Sequence, residues 1–245
     1  MAALNLNDNE VHIWRTDIQS VPPVLLPEFL SIMSLEERER NQRFKFEQGR
    51  FDHALTRALV RTVLSRYCQR QPEEWRFTQG EHGKPELVDA PVALEFNLSH
   101  SCRFIVCAVS KQMKIGVDVE HTERKNSLSS IADRFFSEQE VKDLFALPAA
   151  EQSSRFFDYW TLKEAYMKAR GEGISLGLGN FGFSFNNEEI AIAMAPILKD
   201  NPADWYFELS SPSPDQRMAL AVKIAGLPQP LDIQRFDVIP LLTAG

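Results

Sequence analysis

The stretch IGVDVE, residues 115–120, decides how the chain is read. Ile115, Val117 and Val119 alternate with Gly116, Asp118 and Glu120, a period-two pattern that predicts a short strand with one apolar face. On such a strand Asp118 and Glu120 fall on the same side, about 6–7 Å apart along the backbone. Two like charges held side by side either face water or form half of a site that needs a cation. The hexapeptide alone leaves both open.

Working outward, this strand opens a second half of the chain that repeats the order of the first. VHIWRTD predicts a first strand, Ser34 and Glu37 form a capping-box signature, and FDHALTRALVRTVLSRYC carries the 3.6-residue apolar spacing of a helix. WRFT, ALEFNLS and RFIVCAVS then read as strands, with GEHGKP a turn. After IGVDVE come a polar loop, HTERKNS, a second capping signature at Ser137 and Glu140, and a long helix from about residue 152 to 170 stopped by GEG. GEGISLGLGN reads as a flexible turn, and FGFSF, EEIAIAMA, DWYFELS and RMALAVKIA as four strands separated by prolines. The preferred architecture is α+β, a pseudo-twofold duplicated unit with subdomains at 1–113 and 114–245 and a ligand cleft between them.

Composition bounds the function. With 245 residues, 44% of them apolar and 17 of them Phe, the chain has ample material for a core. A net charge of -7 argues against general nucleic-acid binding but not against a local basic pocket. No apolar run suggests a signal peptide or a membrane span, so a cytoplasmic monomer is expected. Cys68, Cys102 and Cys107 lack metal-ligand spacing and read as reduced thiols. Arg38, Arg40, Arg43, Lys45 and Arg50 crowd one segment, with Arg57, Arg61 and Arg66 on the helix that follows. They are either a solvated face balanced by Glu36, Glu37, Glu39 and Glu47 or a site for a small, highly charged anion.

The segment YWTLKEAYMKARGEG gives the two strand carboxylates company. Trp160, Glu164 and Lys168 stand at i, i+4 and i+8 on one helix face, with Lys163 one step aside. Glu164 and Lys168 are either a surface ion pair or, given the aromatic residues around them, part of a packed face that needs a partner or a metal. Asp118, Glu120 and Glu164 together offer hard oxygen ligands suited to Mg²⁺, and a lysine beside them suits chemistry at a phosphoryl centre. His100, at the end of FNLSHS, and Lys84, in the GKP turn, are candidate phosphate contacts. GxxxxGK[ST] does not occur, and the glycines at 171, 173, 177 and 179 have no strand in front of them.

Taken in order, GKP, FNLSHS, IGVDVE, RFFSEQE and WTLKEAYMKARGEG resemble the 4'-phosphopantetheinyl transferases of the surfactin-synthetase type over nearly the whole chain. That resemblance implies a pseudo-twofold α+β enzyme that moves the phosphopantetheine arm of coenzyme A onto a serine of an acyl or peptidyl carrier protein. Adenosine 3',5'-bisphosphate is the implied by-product. By the same resemblance Asp118, Glu120 and Glu164 are Mg²⁺ ligands, and Lys168 contacts the phosphates at the scissile bond. Lys84, Ser99, His100, Arg40 and Arg50 hold the nucleotide end of coenzyme A, and Glu140 is an acidic position of less defined role. The chain departs from the family in having Glu37 where a basic residue is common, and Cys102 and Arg103 where a glycine usually follows SHS.

Two other readings remain from the residues alone: a Mg²⁺-dependent nuclease or phosphohydrolase, and a non-catalytic carrier-binding module. The carrier itself is expected to meet the loop 121–130, with Arg124 and Lys125 as charged contacts, and the helix that follows Ser137. Carriers of fatty-acid, polyketide, polyunsaturated-fatty-acid or nonribosomal-peptide systems all fit.

Overall fold

Buried apolar side chains gather in two separate cores, one around Trp14, Phe29, Leu59 and Trp75, the other around Phe157, Leu162, Tyr166 and Phe183. The structure is a computed structural model that describes residues 3–123, 128–186, 189–227 and 229–242. By its internal contacts the chain forms two units. The first comprises residues 1–79, 85–112 and 229–245, the second residues 80–84 and 113–228. The sequence placed the division at 113/114; by contacts, the segment 229–245 groups with the first unit and the turn 80–84 with the second.

In the first unit, β1 (Glu10–Asp17) is followed by short helices α1 (Leu26–Ser31) and α2 (Leu35–Gln42) and by the long α3 (Glu47–Leu64). The capping box at the start of α2 is formed: Glu37 N donates to Ser34 Oγ at 3.2 Å and Ser34 N to Glu37 Oε2 at 2.9 Å. Ala54, Leu55, Ala58, Leu59, Thr62 and Val63 make the buried stripe of α3. Then come the hairpin β2 (Arg76–Gln79) and β3 (Pro85–Val88), β4 (Glu95–His100) and β5 (Phe104–Ser110), every residue of which is buried.

The second unit opens with β6 (Ile115–His121), continues through α4 (Leu128–Phe135), α5 (Glu138–Ala146) and α6 (Ala149–Arg170), and closes with β7 (Phe181–Asn186), β8 (Glu189–Met194), β9 (Trp205–Ser210) and β10 (Gln216–Lys223). β6, β10 and β9 form one antiparallel sheet, and β7 and β8 pair with each other. α6 lies directly on β6. A Cβ at Gly116 would stand 2.0 Å from Ala165 O and 2.5 Å from Ala169 N, so only glycine lets the helix backbone come this close. Ala221 opposite Gly116 and Ala219 opposite Asp118 continue the floor of small residues.

The chain then returns to the first unit as β11 (Asp232–Asp237), which pairs in parallel with β1 at the edge of a sheet ordered β11, β1, β5, β4.

Several local expectations change. β6 does not present a face to water: residues from Ile115 to Val119 are all buried, Gly116 and Asp118 included. The polar loop after β6 gives way to α4 at Leu128, while Arg124 and Lys125 lie outside the described residues. β3, β11 and α1 carry no strong local periodicity and were not expected. GEGISLGLGN contains two short 3-10 turns, Gly173–Leu176 and Leu178–Asn180. Among the described residues no helix is long and apolar enough to cross a membrane. Cys107 is buried, Cys68 half-buried and Cys102 exposed, all as free thiols.

Candidate active site

The close approach of α6 to β6 sets the chemistry of the second unit. Gly116, Asp118 and Glu120 share the strand face on which the helix rests, and Glu164 and Lys168 stand one turn apart on that helix. Lys168 Nζ donates to Asp118 Oδ1 at 2.7 Å and to Val117 O at 3.2 Å. Asp118 is only 4% exposed, and Asp118 Oδ2 and Glu120 Oε2 are shielded from solvent. Glu164 is pushed up to about 7, first by burial and then by the Asp118 carboxylate, with a further push from Glu120 and a partial offset by Lys168. All four sequence-predicted residues of the acidic site are therefore one electrostatic cluster.

The cluster's charge and donors suit a hard cation. Three carboxylates face one ammonium, and burial, reinforced by that surplus of negative charge, holds Glu164 near 7. Among the described residues no group of three His, Cys, Asp or Glu side chains is arranged to hold a metal ion, and the lysine sits on Asp118. In oxygen chemistry and charge alone, Asp118, Glu120 and Glu164 are the residues that would suit Mg²⁺.

α6 ends at Gly171, in the left-handed region at φ +72°. Beside it lies Lys84: a Cβ at Gly171 would be 3.6 Å from Lys84 Cδ. Arg170 anchors this end of the helix through Asp200 at 2.9 Å, and Asp200 also accepts from Tyr166, Trp205 and Lys223.

Glu140 acquires a role the sequence did not supply. Its Oε2 lies 2.8 Å from Lys163 Nζ, with both side chains fully buried. Lys163 also donates to Leu178 O at 2.9 Å and Phe181 O at 2.7 Å, while Glu140 Oε1 accepts from Phe183 N at 2.9 Å. This pair ties α5, α6 and β7 together. Gly182 leaves room for it, since a Cβ there would stand 2.4 Å from Ser137 Oγ.

The basic segment of the first unit divides into internal and outward groups. Arg57 and Arg61 are taken up by Glu37, at 2.6 and 2.7 Å, and Arg61 donates further to Pro72 O and Trp75 O. Glu37, standing where the resembling family is often basic, thus joins α2 to α3. Arg40 and Arg43 instead line a cavity of about 470 Å³ with Glu36 and Phe44. Arg50 is exposed and its Nε donates to Phe44 O at 2.9 Å, bracing the loop that carries that ring.

Sequence reasoning missed His53, which sits at the centre of these groups. Its ring centroid is 5.2 Å from that of Phe44, and its Nδ1 is 3.1 Å from Asn41 Nδ2. Burial, Arg57 and Arg40 push His53 down to about 4; Glu37 opposes them and His100 adds to them. Arg40 and His100 are thereby brought into one basic neighbourhood, with Ser99 buried next to His100 on β4. The available signal was the spacing of His53, Arg57 and Arg61 at i, i+4 and i+8, overlooked because the apolar stripe of α3 dominates the pattern.

Comparison with known proteins places both clusters in one family. The model described as 4'-phosphopantetheinyl transferase superfamily matches residues 114–223, and the one described as 4'-phosphopantetheinyl transferase, N-terminal, matches residues 25–112. The chain is 36% identical over 229 residues to the 4'-phosphopantetheinyl transferase HetI of Nostoc sp., covering 91% of each. To the 4'-phosphopantetheinyl transferase Sfp of Bacillus subtilis it is 34% identical over 210 residues, 85% of this chain and 90% of that one. Identity at this level over most of the chain, with family models matching 25–112 and 114–223, makes the chain a member of the 4'-phosphopantetheinyl transferase superfamily.

Proposed function

We propose that this enzyme transfers the 4'-phosphopantetheine arm of coenzyme A to a serine hydroxyl of an apo carrier protein, in a Mg²⁺-dependent reaction that releases adenosine 3',5'-bisphosphate. The observation that carries the proposal is the coupled cluster of Asp118, Glu120, Glu164 and Lys168 within the family match. Mg²⁺, held by the three carboxylates, would supply positive charge to the pyrophosphate oxygens of the donor. Glu164, a carboxylate at the centre of the cluster, is a suitable acceptor for the serine proton as the serine oxygen bonds to phosphorus. The bond from that phosphorus to the bridging oxygen breaks, the nucleotide bisphosphate leaves with the electron pair, and the Lys168 ammonium offsets its developing charge.

Arg40, Arg50, Ser99 and His100, together with His53 and Arg43, are assigned to the phosphate-bearing nucleotide end of coenzyme A, and Lys84 to the same ligand. A carrier is assigned to the loop 121–130 and to α5, where Phe145 is exposed.

The test is incubation with Mg²⁺, coenzyme A and a panel of apo carriers, read by intact carrier mass. A phosphopantetheine mass gain on a carrier serine, lost on chelation of the metal, is expected. Release of nucleotide from coenzyme A without a carrier, and with no carrier modified, would replace this reading by a phosphohydrolase.

A further inference from the structure

Asn41 is buried at the C-terminal end of α2, and the groups around its amide settle which of its atoms is which. Asn41 Nδ2 lies 2.7 Å from Arg50 O, an atom that only accepts, so this position must be the NH₂. The second proton of that NH₂ is directed to His53 Nδ1 at 3.1 Å, which must then offer a lone pair. A proton on Nδ1 would set two N–H donors against each other.

We propose that Asn41 is a positioning residue that holds His53 as a neutral imidazole carrying its proton on Nε2, so that the basic cluster offers a bound phosphate one uncharged N–H donor. The inference rests on the reading that this cluster holds a phosphate of coenzyme A, and it adds a chemical state that the reading does not contain.

The surroundings favour the same state. Arg40 and Glu37 approach from α2, Arg57 from α3 itself and His100 from β4. Glu37 is the one acid among them, and its two oxygens already receive Arg57 and Arg61. Burial among these cations pushes His53 down to about 4, which agrees with the hydrogen-bond argument without being needed for it. The Phe44 ring, whose centroid is 5.2 Å from that of His53, also lines the cavity with Glu36, Arg40 and Arg43, so one ring connects the imidazole to that basic group. A protonated histidine would loosen its grip on phosphate as pH rises through the ordinary histidine range, whereas a neutral Nε2–H donor keeps it.

Long-range ¹H–¹⁵N correlation spectra of the histidine rings in the full chain, without coenzyme A, test the state directly. A single neutral Nε2–H form of His53 from about pH 5.5 to 8 is expected. An Nδ1–H form, or a ring that protonates within that window, overturns the proposal. Asn41→Asp replaces the donor by an acceptor for Nδ1–H and should give a charged His53 at neutral pH; a His53 spectrum unchanged by it would deny Asn41 its role.

His53→Leu, which removes the N–H donor and does not touch the Asn41 contact to Arg50 O, covers the case in which the Asp variant fails to fold. Its affinity for coenzyme A should fall about tenfold, by loss of one hydrogen bond to a charged group, with a pH profile parallel to that of wild type. Profiles that diverge between pH 5.5 and 8 overturn the neutral state. Unchanged coenzyme A affinity beside the expected spectrum overturns the donor role and, separately, the assignment of this cluster to the ligand.

Discussion

Two lysines five positions apart on α6 show how one helix serves structure and chemistry at once. Lys163 is fully buried, and Glu140, Leu178 O and Phe181 O receive its ammonium within 2.9 Å. One cation meets one anion, and each has its remaining hydrogen-bonding capacity met by the backbone. Lys168 is 28% exposed and meets Asp118 in the company of Glu120 and Glu164, a surplus of negative charge. A closed pair fixes a fold; an open, overcharged group takes up a ligand. The lesson is that the balance of charge around each lysine, together with its burial, separates the two roles.

The largest expected effect breaks the closed pair. Lys163→Met leaves Glu140 buried without its cation and should cost about 3–5 kcal/mol, seen as a lower urea midpoint. Adding Glu140→Gln should recover much of that loss. If the single and double variants were equally destabilised, the pair would not be the source.

Breaking the open cluster should do the reverse. Lys168→Ala and Asp118→Ala should each lower carrier modification by about 10²–10³-fold, or roughly 3–4 kcal/mol of barrier. Their thermal midpoints should fall less than that of the Lys163 variant, because Glu164 can take up a proton when the charge balance of the cluster changes. A fall in stability matching that of the Lys163 variant would make Lys168 structural too.

Glu164→Gln sharpens the contrast through pH. The folded-state value of Glu164 is raised from the usual 4.5 to about 7, so the folded chain holds this proton more tightly than the unfolded chain does. The resulting stability is complete below 4.5, is lost as pH rises through the window to 7, and is gone at pH 8. Removing the charge should therefore stabilise the metal-free protein at pH 8 by at most about 3 kcal/mol, and by nothing at pH 4, while abolishing transfer. Paired denaturation curves at the two pH values decide it.

The smallest effect concerns the cation. Protonated Glu164 is a poor ligand, so Mg²⁺ affinity should weaken about tenfold for each pH unit below 7. Thermal shifts on titrating Mg²⁺ at pH 6 and pH 8 give the comparison, and a pH-independent shift would take Glu164 out of the ligand set.

The parts legible in the sequence were those with a local signature. The alternation of IGVDVE, the i, i+4, i+8 spacing of Trp160, Glu164 and Lys168, and the glycine that ends α6 were each readable within one element. What was missed depends on partners distant in sequence. β11, DIQRFD, has little apolar alternation and forms a strand only by pairing with β1. PELV becomes a strand because the turn at 80–84 folds it back on β2. The burial of Asp118 follows from α6 crossing Gly116, a contact visible only after both elements are placed. Asn41 looked like an ordinary polar residue near a helix end, and its importance comes from Arg50 O and His53, both on the next helix.

The return of β11 to β1 also bears on how the chain is made. Arg15 and Asp237, which join these strands by two hydrogen bonds, are 222 residues apart. On a ribosome adding roughly 5–20 residues per second, the outer edge of β1 waits on the order of ten to forty seconds for its partner. During that time its open backbone groups can template a strand from another nascent chain. Substitutions that weaken Arg15, Asp237 or the contacts of Phe236 should therefore reduce the yield of soluble protein in the cell more than the turnover of each molecule that completes folding.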